Sequence, residues 1–150
     1  MSLNEGINKE IHRKIGEILV HAITVENMLE LFIYNYFIEP ESSKVSFFNE
    51  SVIQPLSFEK KRIIFKQICE RRGFPDGDIN EICNLIRDIQ KIRNQVAHSE
   101  TILNLSTGRK HLVKRIESSQ DSLDLDDKFM DDFNKKVQGA LKRITYFLFK

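Results

Sequence analysis

The chain has 150 residues, 41% of them hydrophobic, with eleven Phe and no Trp, which suits one domain with its own apolar core and no dependence on disulfides or structural metal. A net charge of +1 excludes a protein whose whole surface attracts nucleic acid or anionic lipid, so any phosphate site is a local patch. Six Gly and three Pro are too few for a sandwich of short strands joined by tight turns.

The first helix is predicted from about Ile7 to Phe37, where Ile11, Ile15, Ile18, Leu19, Ala22, Val25, Leu29, Phe32, Ile33 and Tyr36 recur at helical spacing. Residues 38–56 lose that period and hold Pro40, Ser42, Ser43, Asn49 and Pro55. They read as a long loop with room for one short helix. Ser57 can cap a second helix through Arg72, with Phe58, Ile64, Phe65 and Ile68 inward. Gly73, Pro75 and Gly77 end it. Asp78 and Glu81 make a capping box for a third helix that runs to about His98. Its apolar positions are Ile79, Ile82, Ile86, Ile89, Ile92 and Val96. Thr101–Leu105 and His111–Ile116 flank Ser106-Thr107-Gly108 and read as a short β-hairpin. The last helix spans about Asp126 to Phe149, with Phe129, Phe133, Val137, Leu141, Ile144 and Leu148 on its apolar face. The expected fold is therefore all-α: one domain over residues 1–150, a helical bundle of four main helices with a small β-hairpin or irregular insertion after the third.

Cys69 and Cys83 lie too far apart for a CxxC motif and read as two buried thiols. The acidic run Asp121, Asp124, Asp126, Asp127, Asp131 and Asp132 lacks the order and the Gly of a calcium loop and marks the start of the last helix instead. No metal and no cofactor is expected. The absence of a leader-like segment and of a long uncharged apolar run predicts a soluble, cytoplasmic protein without a membrane partner.

The chemistry concentrates in Arg93-Asn94-Gln95-Val96-Ala97-His98, at the end of the third helix. An Arg holds a phosphate, and His is the side-chain type that moves a proton near neutral pH. At about 100° per residue, Arg93 falls inside the apolar arc centred near Ile89 and Val96. Arg87, Lys91, Asn94 and His98 form a separate polar stripe, with Arg87 and Lys91 as candidate binding residues. An Arg on an apolar face needs a partner or a ligand. Glu26, among Ala22, Val25, Leu29 and Ile33, is a carboxylate on the apolar side of the first helix. Either Glu26 and Arg93 form a structural ion pair, or Arg93 turns out at the helix end into a groove lined by the stripe. His12, His21 and His111 read as surface residues. Basic clusters stand at Lys60-Lys61-Arg62 and at Arg109-Lys110 with Lys114-Arg115.

Arg93-Asn94-x-x-Ala97-His98 at the end of a third helix resembles the signature of HEPN domains: Arg, four to six residues, then His, with a polar residue after the Arg. The surroundings are similar too. A long first helix carries an inward Glu (Val25-Glu26-Asn27-Met28-Leu29), a second helix has Lys60-Lys61 near its start, and a final amphipathic helix follows an insertion. The resemblance implies a small helical bundle that dimerises and brings two motif helices together. It implies a metal-independent ribonuclease of toxin or defence type, with RNA as substrate and an antitoxin or other protein as partner. In that reading His98 handles the proton at the ribose 2′-hydroxyl, Arg93 holds the scissile phosphate, and Asn94 orients one of them. The chain departs from one toxin branch, which has a Tyr two residues after the His where Glu100 stands here. The alternative the resemblance leaves open is a non-catalytic module that dimerises or binds a partner.

Overall fold

Four long helices make up most of the chain, and each is placed by its own apolar stripe. The computed structural model describes the backbone of residues 3–39, 42–103, 110–114 and 122–150, and the side chains of residues 9–39, 42–98 and 123–150. Helix α1 (Leu3–Phe37) buries Ile18, Ala22, Val25, Leu29, Phe32 and Ile33. These recur three or four residues apart and so share one face. Two short elements, α2 (Val45–Phe48) and a π-helical turn (Asn49–Ile53), occupy the connection that follows.

Helix α3 (Phe58–Arg71) starts where the Ser57 hydroxyl accepts the Lys60 N–H at 3.2 Å. It ends at Gly73, whose φ of +74° is in the left-handed region that favours glycine. There the Gly73 N–H donates to Glu70 O and the Phe74 N–H to Cys69 O, closing the end of the helix as a Schellman motif. Helix α4 (Asp76–Ala97) begins earlier than the sequence pattern suggests. Pro75, with φ −60° and ψ 134°, holds the N-cap position, and Gly77 and Asp78 lie inside the first turn. The expected Asp78–Glu81 capping box is therefore displaced. Asp76 and Asp78 serve the helix N-terminus by charge, and Glu81 pairs with Arg143 on the last helix.

Three extended segments follow: β1 (Ser99–Leu103), β2 (Lys110–Lys114) and β3 (Ser122–Leu123). The order is β1-β2-β3, with Ser99 opposite Lys114 and Leu103 opposite Lys110 in antiparallel register. The expected hairpin turn, Ser106-Thr107-Gly108, lies outside the described residues. Helix α5 (Asp127–Leu148) is capped by Asp126, whose Oδ1 accepts the Phe129 N–H at 2.7 Å. Its buried face is Met130, Phe133, Val137, Ala140, Ile144 and Phe147. Phe129, Leu141 and Leu148, read from the sequence as inward, are only half-buried. Met130, Ala140 and Phe147 fit the same 3.6-residue period and rotate the stripe by part of a turn.

Phe32, Phe65 and Phe133 are fully buried, and the Phe32 and Phe65 rings meet at 4.7 Å. Each such side chain contributes about 1.5–3 kcal/mol of hydrophobic stabilisation. Polar ties set the register. Lys14 donates to Leu125 O at 3.0 Å and to Asp127 Oδ1 at 2.8 Å. Asn134 bridges α5 to α1, donating to Glu17 Oε1 at 3.1 Å while its Oδ1 lies 2.9 Å from His21 Nδ1. Lys136 reaches Asp88 Oδ2 at 2.6 Å. These pairs run α1 and α5 in the same direction, with α4 opposed to α5. The C-terminal turn of α4 thus comes level with the start of α5.

Candidate functional site

The last two turns of α4 overrun the helix beside them. Arg62 and Glu59, at the start of α3, lie level with Cys83 and Arg87: Arg62 lies close to the Cys83 side chain, and the Arg87 charge acts on Glu59. Residues beyond Arg87 run past the beginning of α3. Asn94, Ala97 and His98 are accordingly exposed, and Arg93 is half-buried although it sits in the apolar arc.

Arg93 Nη1 donates to Asn94 Oδ1 at 3.0 Å. The Asn94 carbonyl in turn accepts the His98 N–H at 3.1 Å, and His98 is the C-cap residue, with φ −113° and ψ 14°. Asn94 therefore links the other two, through its side chain to Arg93 and through its backbone to His98. Asn94 and His98 are also one turn apart on the same face. A guanidinium has five N–H donors, so with respect to the described residues Arg93 keeps donors for an anion. Arg87 and Lys91 are exposed on the same polar stripe, and among the described residues Arg87 Nη1 makes a long 3.5 Å contact with Asn84 Oδ1.

The Glu26–Arg93 pair is not formed. Glu26 pairs with Lys61 on α3, at 2.6 Å, and Lys61 also reaches Glu30 at 2.7 Å. Burial alone would lower the Lys61 pKa, but its hydrogen bonds to Glu26 and Glu30 outweigh burial and raise it. Glu26 faces α3, and Arg93 lies beyond the point where α3 begins, so the geometry forbids the expected partner. The same pairing removes Lys60-Lys61-Arg62 as a basic patch. Lys61 is 2% and Arg62 7% exposed, and Arg62 is held by Glu59 through Nε at 3.0 Å. That hydrogen bond from Arg62 holds the Glu59 carboxyl below its ordinary range, against the effect of burial. Lys60 alone of the three is exposed. The Arg109-Lys110 and Lys114-Arg115 cluster and the His111 and Glu100 side chains lie outside the described residues.

Sequence reasoning missed two buried lysines. Lys61 stands between Phe58 and Phe65 at helical spacing, a signal of the same kind as the one that marked Glu26. Lys14 is 7% exposed, one turn before Ile18. His21 is not a plain surface residue: half-buried, it is stacked against Phe133 at 6.4 Å and bonded to Asn134. Both cysteines are buried. Burial, reinforced by Cys83, pushes the Cys69 thiol up to about 12, and burial likewise raises Cys83, which leaves two unreactive thiols.

Among the described residues no group of three or more His, Cys, Asp and Glu is placed to hold a metal ion, and no helix is long and apolar enough to cross a membrane. Comparisons with protein-family models, with curated proteins and with solved structures return no match.

Proposed function

We propose that the protein is a HEPN-like, metal-independent endoribonuclease of toxin or defence type, a helical bundle with a small β-hairpin or irregular insertion after α4. The observation that supports this reading is the Arg93–Asn94–His98 arrangement at an exposed helix end, with Arg93 oriented by Asn94 Oδ1. Cleavage by the neighbouring ribose hydroxyl needs only a proton shuttle and a group that stabilises charge on the phosphorane. A His98 imidazole takes the 2′-hydroxyl proton as the oxygen attacks phosphorus. A second proton carrier, the His98 of a twofold-related copy, protonates the departing 5′-oxygen. The Arg93 guanidinium offers its remaining donors to the non-bridging phosphate oxygens, and Arg87 and Lys91 extend a positive stripe along which the strand lies.

The reading carries a homodimer with it, because one imidazole cannot be both base and acid in the same step. The test is purified full-length protein on total RNA in EDTA. Cleavage to ends bearing 2′,3′-cyclic phosphate, blocked by 2′-O-methylation and lost in His98→Ala, supports it. Robust cleavage by His98→Ala, or of 2′-O-methylated RNA, overturns it.

One observation favours a second reading, a non-catalytic module that dimerises or binds a protein partner such as an antitoxin. Val20 and Ile23 on α1 are 60% and 51% exposed, and neighbouring large apolar side chains in the open mark a contact surface. A protein that dimerises by light scattering and leaves all RNA intact fits this module.

A further inference from the structure

At the other end of the molecule, roughly 30 Å along α4 from His98, an open cavity of about 190 Å³ is lined by Phe32, Asn35, Tyr36, Arg72 and Leu148. It lies where the C-terminal ends of α1, α3 and α5 converge. Arg72 Nη1 donates to Phe147 O at 3.0 Å, a carbonyl that the end of α5 leaves without an intrahelical partner. The guanidinium carbon sits 5.8 Å from the Phe32 ring centroid and 5.6 Å from that of Phe74, so two aromatic rings and a carbonyl hold the cation in place. The Phe147 carbonyl takes one of its five donors.

The other walls are as specific. Asn35 Nδ2 donates to Leu31 O at 2.9 Å, which leaves its Oδ1 as an acceptor. Leu148 gives apolar surface, Tyr36, 41% exposed, gives an aromatic face at the rim, and the buried Phe32 closes the floor. The size is that of one substituted ring, since a protein cavity of about 150 Å³ takes benzene. A single cation, Arg72, lines the cavity, which matches one negative charge and not two, and its contact with a carboxylate has to outweigh the partial negative charge of the helix C-termini around it.

We propose that this cavity binds small aromatic monocarboxylates. The ring lies against Tyr36 and Leu148, the carboxylate takes the free Arg72 donors in a charge-assisted contact, and a hydroxyl or amino substituent on the ring donates to Asn35 Oδ1. The site is independent of the ribonuclease reading.

The experiment is a titration of the full-length protein with benzoate, followed by amide NMR, beside benzyl alcohol as an uncharged ligand of similar size. Benzoate is expected to saturate, with shifts centred on residues 32–36, 72–74 and 147–148, and benzyl alcohol to bind at least tenfold more weakly. Arg72→Gln and, separately, Leu148→Trp, which fills the cavity and leaves the arginine in place, each lower benzoate affinity at least tenfold. Should Arg72→Gln fail to fold, the Leu148→Trp protein and the benzyl alcohol comparison decide. Shifts that do not saturate, equal binding of the two ligands, or unchanged binding by Leu148→Trp overturns the proposal.

Discussion

Lys61 on α3 stands 2.6 Å from Glu26 on α1, and the same ammonium reaches Glu30, one turn further along, at 2.7 Å. Two carboxylates on one helix thus grip a lysine that is only 2% exposed. This triad, and not a contact with α4, gives the Glu26 carboxylate its partner. It also leaves Arg93 free of structural duty toward α1, with Asn94 as its partner among the described residues.

Removing the lysine should cost far more than removing the motif arginine. Lys61→Ala leaves two carboxylates facing an emptied buried site, and losing one partner of a buried charge pair typically costs about 3–5 kcal/mol. Glu26→Gln is milder, because Glu30 still holds the ammonium. Arg93→Ala is expected to change stability by about 1 kcal/mol or less. Urea unfolding monitored by circular dichroism checks the order. Equal midpoints for Lys61→Ala and the parent would show the triad to be dispensable.

Alkaline pH should weaken the fold. Burial pushes the Cys69 thiol from 9.0 up to about 12, so the unfolded chain releases that proton while the native state keeps it. A group raised in the folded state gives stability that is present below its unfolded pKa and lost as pH climbs toward the folded one. Lys61 acts with the same sign: burial lowers its pKa, but hydrogen bonding to Glu26 and Glu30 raises it above 10.5 overall. The urea midpoint is therefore expected to fall between pH 9 and 12, and Cys69→Ala to flatten part of that fall. A level midpoint across the window contradicts this assignment.

The acid side has the opposite sign. The Lys14 hydrogen bond holds Asp127 below its ordinary 3.8, and the Arg62 hydrogen bond holds Glu59 below 4.5. Their contributions are present above those values and lost as pH falls through them toward the folded pKa values. Asp127 is exposed, so the slope it adds is shallow. Asp127→Asn should make stability less dependent on pH below 5, and Glu59→Gln likewise; pH-resolved melting curves that match the parent's would refute the two ion pairs.

His98 should separate chemistry from folding. It is exposed at a helix C-cap and has little packing to lose, so His98→Ala is expected to shift stability by about 0.5 kcal/mol or less. On the ribonuclease reading the same change lowers cleavage at least ~10²-fold, the usual minimum for a lost acid–base group. A variant that melts well below the parent would assign His98 a structural role instead.

Burial at α4 asks for a different comparison. Ile86 and Ile89 are fully buried, whereas Ile92, on the same arc, is half-buried. Ile89→Ala should cost about 2–5 kcal/mol, and Ile92→Ala distinctly less. Equal losses would mean that the end of α4 is covered as fully as its middle.

The sequence by itself determined the four long helices and most of their inner faces, though not the exact rotation of the α5 stripe. Apolar spacing alone located the stripes of α1 and α4, Ser57 was legible as a cap, and Gly73 as a stop, because these are local properties of chain and side chain. The polar stripe Arg87, Lys91, Asn94 and His98 was legible for the same reason: the positions share one side of one helix. Tertiary structure alone decided which charged residue meets which. Glu26 was recognisable as a carboxylate on an apolar side, but its partner depends on the axial offset between α1 and α3, which no single-helix periodicity encodes. The relative lengths of α3 and α4 decided the rest. Because α3 starts level with Cys83 and Arg87, the helix end carrying Arg93, Asn94 and His98 stands clear of it. Arg93 is tolerated on that arc because it is only half-buried and its guanidinium reaches the exposed Asn94 side chain, while Val96 on the same arc stays buried.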